Sequence, residues 1–161
     1  NGSLWIGDSY DVEHEIGNLL DIKAILNVSD DMIINRIMGG VTYAQCGLVD
    51  GPGNPLAAYH AAVLMLSVLL GKGPTVVVDP EGLTRPVVVA IMYQHLTRRM
   101  GWDYWFSIIS EKCKAGFQRT VNIDDEHTEE ITVTGECVLH EAHRAAFDRI
   151  NWRLLSTVVE V

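Results

Sequence analysis

Positive charge is scarce in this chain. Lys and Arg number 12 against 21 Asp and Glu, a formal net charge of −9. Binding to a phosphate backbone selects for clustered Lys and Arg, so this balance argues against nucleic acid as the partner. It argues equally against unassisted docking on an anionic membrane. Cysteine is scarce too. Cys46, Cys113 and Cys137 are an odd set, far apart and without a CxxC pair. They read as reduced thiols in a cytoplasmic or nuclear compartment and not as a disulfide framework. No apolar run reaches the about 20 residues that a membrane-spanning helix takes. The most hydrophobic segment, 56–70, is interrupted by His60 and Ser67. There is no secretory pattern, although the opening Asn1-Gly2-Ser3 reads as the edge of an excised fragment, with a targeting segment ahead of it left open. No internal repeat or low-complexity tract is present.

Metal and cofactor signatures are also missing. His140 and His143 stand at i and i+3, but no second pair completes a zinc site, and they read as a solvated helix face. The acidic run 124–130 lacks the glycine and the ligand spacing of a calcium loop and reads as a solvated surface turn. The spacing calls for no metal and no cofactor.

What is present is an ordinary globular composition: 161 residues, 48% apolar and 20% charged. That is one domain with enough material for a sizeable core. Leu4-Trp5-Ile6-Gly7 reads as a short strand, and 11–20 as a helix with Ile16, Leu19 and Leu20 on one side. Residues 24–28 form an apolar run suited to a strand covered on both faces, closed by the turn residues Ser29-Asp30-Asp31. A strand over 41–49 leads into the loop Asp50-Gly51-Pro52-Gly53-Asn54-Pro55. Residues 56–70 form a buried helix, with Gly71 to Pro74 as its stop. Then come a central strand over 75–78, a helix from Pro86 to about Met100, and another over 102–112, which Trp102, Trp105 and Phe106 anchor to the core. This alternation predicts an α/β layer fold with a largely parallel sheet. Beyond Lys114 the pattern changes to two strands, 120–123 and 131–134, and then to one long amphipathic helix marked by Leu139, Ala142, Ala146, Phe147, Ile150 and Leu154. The expected division is a domain over 1–113 and an extension over 114–161 packed on the same domain.

The segment that carries chemistry is Val76-Val77-Val78-Asp79-Pro80-Glu81-Gly82-Leu83-Thr84-Arg85-Pro86. A strand that ends in a glycine turn and restarts as a helix aims backbone N–H groups at one spot, where the helix dipole adds positive potential. Gly82 permits a turn that a Cβ would obstruct. Arg85 offers a planar fork of donors that fits a phosphate. The same pattern also suits a plain strand-to-helix turn with a surface arginine.

This loop resembles the phosphate-binding loop of the cysteine-dependent protein phosphatases: His-Cys, two variable residues, Gly, one variable residue, Ser or Thr, then Arg. Gly82, Thr84 and Arg85 match it. Leu4-Trp5-Ile6-Gly7 and 22–28 are similar to the opening strands of the dual-specificity phosphatase family. Gly47-Leu48-Val49-Asp50 with Pro55, Ala58 and Tyr59 is similar to that family's general-acid loop and following helix. The resemblance runs over about residues 3 to 112. It implies a dual-specificity-phosphatase-like sheet flanked by helices. It also implies a binding loop of Asp79, Pro80, Glu81, Gly82, Leu83, Thr84 and Arg85, in which Arg85 clamps the phosphoryl group, Thr84 assists the leaving sulfur and Asp50 is the acid. Asp50 also reads as a simple turn former before Gly51.

The departures bear on function. Asp79 stands where the family has its nucleophilic Cys, Val78 replaces the His, and Pro86 stands where Ser or Thr is common. Such coordinated changes look like natural degeneration. A carboxylate reaches one bond further than a thiolate, so Asp79 is expected to fill the cradle itself and to pair with Arg85. The expected function is that of a pseudophosphatase working in protein–protein or phosphoprotein interaction. The alternative is a low-activity tyrosine or serine/threonine phosphatase acting through Asp79 or water. The partner expected is a protein, a phosphorylated one included. The sequence is silent on oligomeric state.

Overall fold

Val76-Val77-Val78 has the β-branching of a strand buried on both faces, and it forms the middle of β4 (Thr75–Val78), every residue of which is buried. The computed structural model of the chain describes residues 3–16 and 21–159. Around β4 it places β1 (Leu4–Gly7), β2 (Ala24–Ser29) and β3 (Thr42–Leu48) in the order β1-β4-β2-β3, with every pairing parallel. The expected α/β layer fold with a parallel central sheet is what forms.

Strand periodicity sorts side chains to two faces. Ala24, Leu26, Val28 and Val77 meet α1 (Leu56–Leu70), α2 (Arg85–Arg98) and α3 (Trp102–Ala115) in the main core. Ile25, Val76 and Val78 face the other way, against Ile16, Ile22 and Met32. Asn27 is one of the fully buried polar residues of the sheet, with Ser29 and Thr75. Its amide donates to the Met32 carbonyl at 2.8 Å and accepts the Ser29 N–H at 3.0 Å, which ties the end of β2 to the segment beyond it.

The structure revises several expectations. Of the helix expected over 11–20, the described part is one wide helical turn at Asp11–Glu15, closed by the Ile16 N–H on the Asp11 carbonyl at 3.0 Å. Leu19 and Leu20 lie outside the described residues. The helix over 56–70 does end at Gly71 as expected, with the positive φ at Gly73, just ahead of Pro74. The acidic run is only partly a turn. Asp124 caps the turn by accepting the N–H groups of Glu126 and His127, and Thr128, Glu129 and Glu130 already belong to β6 (Thr128–Val133). β6 pairs antiparallel with β5 (Phe117–Asn122).

The long C-terminal helix is two helices, α4 (Glu141–Arg149) and α5 (Trp152–Leu155). Ile150 is extended at ψ 132°, and the Asn151 side chain accepts the Leu154 N–H at 3.1 Å. An asparagine that caps competes with continuing the helix. The restart shifts the buried register, so Leu155 enters the core and Leu154 faces solvent. Ala146, Phe147, Ile150 and Leu155 join the same core as the sheet. Phe147 packs edge-on to Trp102, 5.3 Å between ring centroids, and to His95, 4.8 Å. Among the described residues, no helix is long and apolar enough to cross a membrane.

Candidate functional site

In open parallel sheets the crevice beyond the carboxyl ends of the strands is where ligands are held. Here three strand ends bring carboxylates to that edge: β2 is followed by Asp30 and Asp31, β3 by Asp50, and β4 by Asp79. The β4–α2 loop begins at Asp79 and ends where Arg85 opens α2. Gly82 is required at its apex. Its φ is +73°, and a Cβ there would sit 2.9 Å from the Gly7 carbonyl oxygen. Ser9 straps the loop from the β1 side, its hydroxyl donating to the Pro80 carbonyl at 3.3 Å.

The Asp79 carboxylate points into this loop and is 1% exposed. Its Oδ1 accepts the backbone N–H of Glu81 at 3.1 Å and that of Gly82 at 2.5 Å. Its Oδ2 accepts the Thr84 hydroxyl at 3.0 Å and the Arg85 Nε–H at 3.2 Å. Thr84 could have capped α2 but makes no cap hydrogen bond, because its hydroxyl is turned to Asp79. Four donors thus converge on one internal carboxylate, the arrangement expected from the reach of aspartate over cysteine.

Arg85 is 5% exposed and has further carboxylate partners. Its Nη1 reaches Asp30 Oδ1 at 3.0 Å and Asp31 Oδ1 at 2.9 Å, and it also donates to the Leu48 carbonyl at 3.2 Å. Burial works against the charged guanidinium, but the Asp31 hydrogen bond and the Asp79 charge outweigh it and raise its pKa. The Ser29 hydroxyl, with Arg85 behind it, holds Asp31 below the usual carboxylate range. Asp30 and Asp31 read in the sequence only as turn formers. Their signal was positional: acidic residues directly after a parallel strand stand at the sheet's ligand edge.

Asp50 has a different setting. Among the described residues it makes no hydrogen bond to the 79–85 loop, and its side chain is 44% exposed. Asn54 shapes its loop by donating to the Val49 carbonyl and accepting the Val49 N–H, both at 2.8 Å. Beneath it lies His143, which corrects the reading of His140 and His143 as a solvated pair. His140 is exposed and caps α4, accepting the Ala142 N–H at 3.0 Å. His143 is wholly buried. Its Nδ1 shares a 2.8 Å hydrogen bond with the Tyr59 hydroxyl, and Tyr59 in turn receives the Asn54 amide at 3.3 Å. The His143 Nε2 lies 3.5 Å from Asp50 Oδ1, an electrostatic approach at the outer limit of hydrogen-bond distance. Burial pushes the His143 pKa down, opposed by Asp50. The segment beyond residue 114 therefore packs beneath the Asp50 loop, a contact with no signal in the sequence beyond helical phase. No metal-binding cluster of His, Cys, Asp or Glu occurs among the described residues.

The site's charge balance follows from these contacts. One buried guanidinium is matched by three carboxylates, and Asp79 engages the Glu81 and Gly82 N–H groups, the Thr84 hydroxyl and the Arg85 Nε–H. Two unit charges about 4 Å apart repel by about 4 kcal/mol at an effective dielectric near 20, so an arriving phosphate dianion meets repulsion as well as an occupied seat.

No family model matches this chain, and no curated protein matches it by sequence. Solved structures do. DUSP15 matches at a TM-score of 0.69 with 14% identity, over 98% of this chain and 88% of its own. Human DUSP28 matches at 0.57 with 19% identity, over 69% and 79%. The human tyrosine phosphatase-like serine/threonine/tyrosine-interacting protein matches at 0.56 with 18% identity, over 68% and 79%. These similarities establish that the chain has the fold of the dual-specificity and protein tyrosine phosphatases. The DUSP15 match spans nearly the whole chain, so the likeness in structure continues past residue 114, where the sequence resemblance stops.

Proposed function

We propose that this phosphatase-like chain is a pseudophosphatase, without family-type turnover, that works by protein–protein interaction, phosphorylated partners included, in the cytoplasm or nucleus. The observation that carries the reading is the engagement of Asp79 by the Glu81 and Gly82 N–H groups, the Thr84 hydroxyl and Arg85. In the family that the loop resembles, a thiolate attacks phosphorus while the loop's N–H groups and the arginine hold the phosphoryl oxygens. Here those donors hold the residue at the nucleophile position itself. Asp79 as a metal-assisted nucleophile would call for a second carboxylate sharing an ion with it. Its near neighbours Asp30 and Asp31 are instead bound to Arg85. One structural neighbour is itself named as phosphatase-like and interacting, in keeping with a fold that serves recognition without catalysis.

The test is aryl-phosphate turnover with and without Mg²⁺. No rate above the protein-free blank is expected under either condition. Turnover that persists through purification and disappears in Asp79→Ala would overturn the inactive reading.

A further inference from the structure

Cys113 and Cys137 are far apart in sequence and adjacent in the fold. Cys113 lies in the last turn of α3, and Cys137 follows β6 on the way to α4. The Gly135 N–H donates to the Cys113 carbonyl at 3.0 Å, fixing the two segments side by side. Gly116 allows that approach: its φ is +72°, and a Cβ there would lie 2.3 Å from the Val133 carbonyl oxygen. Both side chains pack into the same core, Cys137 within it and Cys113 partly buried against it. Cys137 belongs to the buried core, whereas Cys113 lines a cavity of about 650 Å³ together with Trp5, Leu83, Phe117 and Gly135. The pair thus has one sulfur toward a cavity that small oxidants can enter and a second behind it.

We propose that Cys113 and Cys137 are a redox modification site, forming a reversible disulfide when the protein meets a peroxide. The Cys113 thiolate attacks the peroxide, the O–O bond breaks, and Cys113 becomes a sulfenic acid while the peroxide leaves as hydroxide. The Cys137 sulfur then attacks the Cys113 sulfur, the S–O bond breaks, and the departing hydroxide takes the Cys137 proton to leave as water. Two thiols are oxidised by one peroxide. The ordering follows from the site: Cys113 is the sulfur at the cavity and Cys137 the buried one behind it, and the neighbouring Cys137 lowers the Cys113 pKa to about 7 while Cys137 itself is raised. Cys46 is the internal contrast, since burial pushes its thiol up. The bond would close a loop around the β5–β6 hairpin and fix the cavity wall at Gly135. A Cβ at Gly135 would meet the Leu83 side chain of the 79–85 loop at 2.6 Å.

The experiment treats the full chain with stoichiometric hydrogen peroxide, blocks free thiols and weighs intact protein and non-reduced tryptic peptides. The expected result is loss of the mass of two hydrogens and a species joining the Cys113 and Cys137 peptides. Cys46 should be blocked as a free thiol, and dithiothreitol should reverse the change. The thermal midpoint should rise by roughly 5 °C on oxidation. Cys113→Ser, at a half-buried position, and Cys137→Ala, a small apolar replacement, should each abolish the cross-link. Retention of the cross-link mass in either variant overturns the assignment. So does conversion of wild-type Cys113 to sulfinic acid with Cys137 still free, or full blocking of all three thiols.

Discussion

Asp79 and Asp50 are both aspartates beyond the carboxyl ends of parallel strands of one sheet, β4 and β3 with β2 between them, and the protein treats them in opposite ways. Asp79 is enclosed and accepts from four donors, while Asp50 is close to half exposed and has only the 3.5 Å approach of His143. The difference comes from the backbone around them. The β4–α2 loop turns its N–H groups inward on whatever occupies position 79. The Asn54-braced loop directs its hydrogen bonds to its own backbone and leaves the Asp50 carboxylate outside. The first loop is a cradle of donors filled by its own Asp79, and the second leaves its carboxylate partly open to solvent.

The largest effect that would break this contrast is on stability. Removing one member of a buried, hydrogen-bonded charge pair commonly costs 3–5 kcal/mol. Arg85 would keep Asp30 and Asp31, so Asp79→Ala is expected at the low end, about 3 kcal/mol. Asp50→Ala should stay within about 0.5 kcal/mol of the parent, as exposed positions do. Urea denaturation of both variants reads the difference directly. Equal costs would mean that the Asp79 network adds nothing beyond surface electrostatics.

Most of the first loop's design was legible in the sequence, because it is local. The Asp79-to-Arg85 spacing, the glycine at its apex and the greater reach of a carboxylate lie within seven consecutive residues. The parallel α/β layering was legible for a similar reason, since β-branched runs alternate with helical periodicity. What could not be read depends on contacts over long separations. Asp30 and Asp31 reach Arg85 across more than fifty residues, and His143 reaches Tyr59 across 84. No period or motif marks those pairings. The break at Ile150 was missed for a local reason: the apolar phase continues through it, and the capping choice of Asn151 overrides that phase.

Next in size is the effect on anion binding. Asp79→Ser removes the internal carboxylate and leaves a small hydroxyl, freeing the Glu81 and Gly82 N–H groups and one edge of Arg85. Titration with a phosphotyrosine peptide should show at least tenfold tighter binding by the variant than by the parent, about 1.4 kcal/mol. Asp50→Ser should leave the affinity unchanged. Equally tight binding by parent and Asp79→Ser would show that the ligand does not need the seat Asp79 occupies, and the contrast between the two loops would lose its functional meaning.

The smallest effect probes the support under Asp50. His143 is held neutral by burial, so its folded pKa lies below the ordinary value of 6.5. A base with a depressed pKa takes up its proton more readily in the unfolded chain. Its contribution to stability is therefore complete above about pH 6.5 and is lost as the pH falls from there toward the folded value. The nearby Asp50 charge moderates the loss, while His140 and Arg85 add to it. Glutamine at this position can keep a hydrogen bond to Tyr59 without titrating, so His143→Gln should show a flatter stability profile between pH 7 and pH 5 than the parent. The comparison is of slopes, measured by denaturation at a series of pH values, because other groups titrate equally in both proteins. Parallel profiles would mean that His143 gains its proton as easily in the folded protein as in the unfolded chain, and that the floor of the Asp50 loop is wetter than its burial indicates.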